Sequence, residues 1–146
     1  HTLVYGGGSV GLMGELAREV QQGGGRVIGV IPERLSTEEI AFEAAEELLV
    51  TADMAERKNI MIERADAFIA LPGGFGTLEE LIEALTHRQL KYHDKPAVIV
   101  NLNGFYDPLL RFFEHFIEQN FAKPKHRDSY RVVRDPAAAM AYLESG

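Results

Sequence analysis

The sequence contains no cysteine in 146 residues, which excludes a disulfide framework and thiol chemistry. It is short of cations. Fifteen Lys and Arg face 22 Asp and Glu, for a formal net charge of -7, so a general nucleic-acid surface is not expected and any anion site must find its positive potential locally. No apolar run approaches the roughly 20 residues needed to span a bilayer. No signal-type segment precedes the first strand, so a cytoplasmic protein with no membrane partner is expected. Repeats and low-complexity tracts are absent. His87, His93, His115 and His126 show no metal-ligand spacing with one another or with a nearby acid, so no metal site is expected.

What is present is an apolar chain, 46% of it, punctuated by glycine. Residues 66–83 read DAFIALPGGFGTLEELIE. The apolar run 66–71 predicts a buried parallel strand that stops at Pro72, Gly73 and Gly74. Thr77 is then expected to open and cap a helix whose apolar face is Leu78, Leu81, Ile82 and Leu85, repeating at i, i+3, i+4, i+7. A helix N-terminus carries about half a positive charge and glycines admit an anion close to the backbone, so the expected guest is a phosphate group. The Walker pattern does not apply, because no lysine follows in the required place.

The remaining chain alternates in the same way. Strands are expected at 2–5, 26–31, 47–50, 96–101 and 132–133. Helices are expected from the glycine loop of residues 6–14 up to residue 23, from Ser36 or Thr37 through 43–45, over 53–64 with Asp53 and Glu56 in capping-box spacing, over 104–120, and over 136–143. Residues 123–130 read as a polar, mobile loop. Strands alternating with helices through short loops specify an α/β, Rossmann-like, mainly parallel sheet with helices on both faces, in a single domain 1–146. Ligands of such sheets bind outside the carboxyl ends of the strands, where both glycine loops and the start of the Asp53 helix fall.

Each candidate has a plainer alternative. Gly6, Gly8 and Gly11 satisfy GxGxxG, and Glu33 stands where a ribose-binding acid would, so a dinucleotide site competes with a tight turn. Glu80 stands three residues after Thr77 and completes a capping box, or else touches the sugar of a bound nucleotide. Glu79 and Glu83 are consistent with solvated helix surface. Arg57 and Lys58 lie early in their helix, where cations oppose the dipole at about 0.3–1 kcal/mol each unless an anion compensates. Asp53 is one such anion, and a bound phosphate or carboxylate is the other. Ser9 lacks an identifiable base, which argues against serine hydrolysis.

Taken together, DMAERKNIM (53–61), LPGGFGTLEE (71–80), LVYGGGSVGLMG (3–14) and NLNGFYDPLL (101–110) resemble the LONELY GUY family of cytokinin riboside 5'-monophosphate phosphoribohydrolases, long labelled "possible lysine decarboxylase". The resemblance implies hydrolysis of the N-glycosidic bond of an adenine-type nucleoside 5'-monophosphate, without a cofactor, by a homodimer. By position it implies that Arg57 and Glu80 are the catalytic pair. It implies that Met54, Lys58, Gly73, Gly74, Phe75, Gly76, Thr77 and Glu79 contact the nucleotide, with Glu39 near the base or sugar and Thr86 at a helix position close to the ligand. Gly7, Gly8 and Gly11 are expected to form a second phosphate loop. Ala55, His87 and Phe42 depart from residues that relatives often carry there or nearby (His, Trp and His), which bears on base preference. Relatives also carry a strand, a Gly-Ser loop and a helix before the first strand, so a missing N-terminal piece is expected. No lysine has a recognisable pyridoxal-phosphate context, so lysine decarboxylation is not expected. A non-catalytic nucleotide or cofactor carrier on the same fold is the alternative.

Overall fold

The structure, a computed structural model, describes residues 1–36 and 41–145. Contacts gather into two compact units, His1–Ala65 and Asp66–Gly146. In the first unit β1 (Thr2–Tyr5), β2 (Arg26–Pro32) and β3 (Glu47–Thr51) form a parallel sheet in the order β1-β2-β3. The middle strand, RVIGVIP, is buried from its second residue to its last, as a near-continuous apolar run in a parallel sheet should be. Helix α1 (Gly11–Gln22) packs through Met13, Ala17 and Val20 on Leu3, Tyr5 and Val27. Helix α3 (Met54–Arg64) packs against all three strands. Gly29 in β2 keeps a gap open: a Cβ there would meet the Gly7 Cα at 3.0 Å, so the first glycine loop presses on this strand.

Asp53 caps α3 as its spacing predicted, its Oδ1 accepting from the Glu56 N–H at 2.9 Å. Glu56 closes the box one residue further out than expected, on the N–H of Ala52 at 2.7 Å. The helix expected from Ser36 or Thr37 through 43–45 falls partly outside the described residues; the single turn α2 (Glu33–Ser36) precedes that stretch, and residues 43–46 form a turn and a bend. Thr37 and Glu39 lie outside the described residues.

In the second unit β4 (Phe68–Ala70), β5 (Ala97–Val100) and β6 (Arg131–Val133) form another parallel sheet in that order. Successive side chains of a strand point to opposite faces. Ile99 accordingly joins a core with Ala70, Leu81, Tyr106 and Phe113, whose helices are α4 (Phe75–Gln89) and α5 (Asp107–Glu118). Its neighbours Val98 and Val100 face Ala139 and Leu143 of α6 (Pro136–Glu144). This sheet is therefore helix-covered on both faces.

Several boundaries differ from expectation. The strand at 66–71 shortens to three residues, and the helix at 104–120 becomes a 3-10 turn at Leu102–Gly104 followed by α5. Residues 123–130 are not an irregular loop, because Pro124–Ser129 is a 3-10 helix tied back by Arg127, which grips both carboxylate oxygens of Glu114. Ile82 lies on the outer side of α4 at 37% exposure, leaving Leu81 and Ala84 buried and Leu85 against the core. Among the described residues no helix is long and apolar enough to cross a membrane.

Candidate functional site

The first glycine loop follows the carboxyl end of β1, and the carbonyls of Gly6, Gly7 and Gly8 each accept a hydrogen bond from elsewhere in the chain. Arg57, 6% exposed, donates from Nη2 to Gly6 O at 3.0 Å and from Nε to Val30 O at 3.0 Å, with Nη1 3.5 Å from the Met54 sulfur. The Phe42 N–H donates to Gly7 O at 2.9 Å, and the buried Tyr5 hydroxyl donates to Gly8 O at 2.9 Å. Gly7 turns with φ +80 and Gly11 with φ +63, conformations that favour glycine. A Cβ on Gly6 would strike the Arg57 guanidinium, so these two residues are fitted to each other. Of the residues predicted for this unit, Arg57, Met54, Gly7 and Gly8 therefore belong to one hydrogen-bonded and packed group. Lys58 follows on α3 and is half-buried. Glu39 lies outside the described residues.

The second loop follows β4. Helix α4 begins two residues earlier than expected, at Phe75, with Gly74 as its N-cap and no side-chain cap. Thr77 therefore does not open the helix. It sits in the first turn, and its side chain lies over Gly73, where any Cβ would collide with it. Because the helix starts early, Glu80 falls in the second turn, half-buried, and the Thr77–Glu80 capping box is not formed. Gly73, Gly74, Phe75 and Gly76 are exposed, Phe75 at 93%. Glu79 and Thr86 lie on the exposed side of α4.

The glycines of this loop separate into two kinds. Gly73 is required by the packing of Thr77. Gly74 and Gly76 have nothing within 4 Å of the place a Cβ would occupy, and neither has a positive φ. Glycine inside a helix costs about 1 kcal/mol relative to alanine. Neither conformation nor packing accounts for Gly76. Helices α1 and α4, which follow the two glycine loops, also start without a side-chain cap and without an acid in the first turn, whereas aspartates cap α3 and α6. Uncapped first-turn N–H groups need water or a ligand.

Two residues with a part in these loops were not singled out from the sequence. Tyr5 is one. Tyr106 is the other: its hydroxyl donates to Leu71 O, at the entrance to the second loop, at 2.6 Å. Both tyrosines lie inside motifs quoted above, but their acceptors are main-chain carbonyls that no spacing reveals. Burial pushes the Tyr5 phenol up to about 12 and raises Tyr106, so both stay protonated donors at neutral pH. A hollow of about 630 Å³ lined by Asp107, Leu110, Glu114, Tyr130 and Val132, among others, contains none of the predicted site residues. Among the described residues no three His, Asp or Glu side chains gather as a metal site.

Parallel strands covered by helices, with glycine loops leading from strand ends into uncapped helices, make this an α/β protein of the Rossmann-like class. A family profile described as "Possible lysine decarboxylase" matches residues 13–143. The chain is 47% identical over 142 residues to the probable cytokinin riboside 5'-monophosphate phosphoribohydrolase LOGL2 of Oryza sativa subsp. japonica, covering 97% of this chain and 58% of the relative. To the probable enzyme of the same name LOG6 of Arabidopsis thaliana it is 46% identical, covering 97% and 70%. To LOG5 of Arabidopsis thaliana, named without "probable", it is 49% identical over 143 residues, covering 98% and 63%. The chain belongs to this family, the LONELY GUY or "possible lysine decarboxylase" family, and spans between 58% and 70% of these relatives' length. A solved structure of the molybdenum cofactor carrier protein MCP from Chlamydomonas reinhardtii matches with a TM-score of 0.69 and 24% identity, over 99% of this chain and 76% of that one. That likeness concerns the fold alone.

Proposed function

We propose that this chain hydrolyses the N-glycosidic bond of cytokinin riboside 5'-monophosphates or related adenine-type nucleoside 5'-monophosphates, giving the free base and ribose 5-phosphate. The observation that carries the reading is Gly76, a glycine inside the first turn of α4 that neither conformation nor packing requires, beside an N-terminus without a side-chain cap. Leaving out a Cβ there lets a phosphate reach main-chain N–H groups. The names of the relatives supply the substrate class.

Breaking the bond from ribose to purine develops positive charge on the sugar, as in other glycoside hydrolyses. In this reading Glu80 is the carboxylate that stabilises that charge and orients or deprotonates the attacking water. The loop of Gly73, Gly74, Phe75, Gly76 and Thr77 holds the 5'-phosphate, and the resemblance assigns Lys58 to nucleotide binding. Arg57, the second residue assigned to catalysis by the resemblance, already spends two of its donors on Gly6 O and Val30 O. It therefore acts from a fixed position, and its rigidity is part of its use. Binding energy from the remote phosphate helps to place the reacting centre. No residue in this scheme requires a cofactor.

Incubating the purified protein with AMP and with isopentenyladenosine monophosphate and assaying released base tests the proposal. Release from at least one is expected. Tight retention of nucleotide without release would instead identify a carrier. Carbon dioxide from lysine is not expected. A cytoplasmic homodimer belongs to the same reading, and sedimentation showing only monomer would remove the dimer from it.

A further inference from the structure

Strand β6 is an edge of its sheet: among the described residues it pairs with β5 alone, last in the order β4-β5-β6. Along a parallel strand, alternate residues turn their N–H and C=O groups to opposite sides. The Asn101 N–H donates to Val133 O at 2.8 Å, so Val133 and Arg131 face β5, and Val132 between them turns both groups to the open side. The Val132 side chain, 37% exposed, stands level with Ile99 and Ala70 and so lies on the face that α5 covers. There Val132 and Tyr130 form one wall of the hollow of about 630 Å³, and Leu110 with charged side chains of α5 forms the other. We propose that this edge and hollow dock an extended segment of another protein that carries a lysine or arginine at alternate positions. The inference is independent of the phosphoribohydrolase reading.

A strand added beside β6 lies about 4.7–4.9 Å away and takes the Val132 N–H and C=O as hydrogen-bond partners. Side chains level with one another on neighbouring strands share a face, so its residue beside Val132, and those two before and two after, enter the hollow. The walls select what those side chains are. Leu110, Tyr130 and Val132 give an apolar floor, and the rim carries three carboxylates, Asp107, Glu114 and Glu118, against the one guanidinium of Arg111 and the imidazole of His115. Arg127 already grips Glu114. That leaves Asp107 and Glu118, the first and last residues of α5, as negative charge at both ends of a wall roughly 17 Å long. An extended segment covers that length in about five residues, three of them facing the hollow. Lysine and arginine fit these positions because their apolar stems lie on the floor while their charged heads reach the rim. An acidic segment meets like charge, and a wholly apolar one buries carboxylates without a partner. The chain's own Tyr130, Val132 and Arg134 offer one cation in three such positions, so a second copy fits less well.

Two changes isolate the two halves of the site. Val132→Pro removes the outward N–H and leaves the hydrogen bonds to β5 in place, as proline on an edge strand does. Glu118→Lys reverses an exposed charge at the end of α5. The experiment titrates the blocked peptides Lys-Val-Lys-Val-Lys and Glu-Val-Glu-Val-Glu into isotope-labelled protein and follows the backbone amide resonances. The lysine peptide is expected to give saturable shifts confined to residues 130–134 and the α5 face from Asp107 to Glu118, and the glutamate peptide none. Affinity for the lysine peptide should fall about tenfold in Val132→Pro, the scale of one lost hydrogen bond, and about threefold in Glu118→Lys. Absence of saturable shifts with the lysine peptide overturns the proposal. Equal affinity for both peptides overturns it too, as does full affinity in Val132→Pro. Shifts of the same residues that follow protein concentration without peptide would make the edge a contact between copies and overturn it likewise. If the β5 amides show that Val132→Pro has lost its sheet, Glu118→Lys decides.

Discussion

The guanidinium of Arg57 and the main chain of Gly6 fit each other from both sides: Nη2 donates to the Gly6 carbonyl at 3.0 Å, and any side chain on Gly6 would displace that nitrogen. Arg57 is thus a fixture of its sheet as well as a candidate catalytic group. A buried acceptor left without its donor costs about 1–3 kcal/mol, and Arg57→Met strands two of them, on Gly6 and Val30. A destabilisation of roughly 2–4 kcal/mol is expected in urea unfolding, alongside loss of activity. An unfolding midpoint equal to that of the wild type would show that the guanidinium does not hold the loop.

Gly73 and Gly76 should respond to alanine in opposite ways. At Gly73 the new methyl group meets the Thr77 side chain, including its Cβ, which rotation about χ1 cannot move aside. Overpacking of that kind costs about 1–3 kcal/mol. At Gly76 the methyl group enters open space inside a helix, so Gly76→Ala should leave stability unchanged or raise it by up to about 1 kcal/mol. The same variant should bind ribose 5-phosphate more weakly. A more stable protein with undiminished phosphate affinity would remove Gly76 from the anion cradle.

The parts of the fold legible in the sequence are those where a local pattern meets a single physical demand. The apolar runs of β2 and β5 could satisfy their burial only as inner strands, and Asp53 with Glu56 carried a cap within four residues. Helix α4 starts two residues before the position its sequence suggests because its N-cap, Gly74, gives no side-chain signal, while the Thr77 hydroxyl imitates one and is used instead to cover Gly73. Pro124–Ser129 carries no local sign of its helical turn because its anchor, Glu114, lies 13 residues from Arg127. The candidate glycines and Arg57 were visible as residue types. That Arg57 and Tyr5 reach main-chain carbonyls was not, because such acceptors have no residue identity.

His93 supplies a pH dependence. Its two ring nitrogens are buried without a hydrogen-bond partner among the described residues, and its ring lies against Phe68 and His87. Burial, then the charges of Lys95, His87 and Arg88, hold its pKa below the ordinary histidine value, with Asp94 opposing. The unfolded chain therefore takes up this proton at a higher pH than the folded one. The stability that depends on neutral His93 is complete above the ordinary histidine pKa and declines as the pH falls toward the lowered folded value. Between pH 7.5 and pH 5.5 the urea midpoint should drop further for the wild type than for His93→Leu. Equal drops would mean that His93 titrates as it does in the unfolded chain.

Glu80→Gln separates chemistry from folding in a way that Arg57 variants cannot. Glutamine preserves the length and most of the shape of the side chain, and position 80 is half-buried on α4, outside the clusters that form the cores. Little change in stability is expected. If Glu80 carries negative charge toward a developing oxocarbenium ion, replacing it with a neutral amide removes an interaction made chiefly in the transition state. The loss should then appear in kcat and kcat/KM together, by about a hundredfold or more, with nucleotide affinity retained. Release of base from AMP, measured beside calorimetric binding of ribose 5-phosphate, reads both quantities on one preparation. Undiminished turnover would transfer the carboxylate role to another acid. A fall in affinity with kcat intact would make Glu80 a binding residue, leaving the stabilisation of the sugar cation to be sought elsewhere.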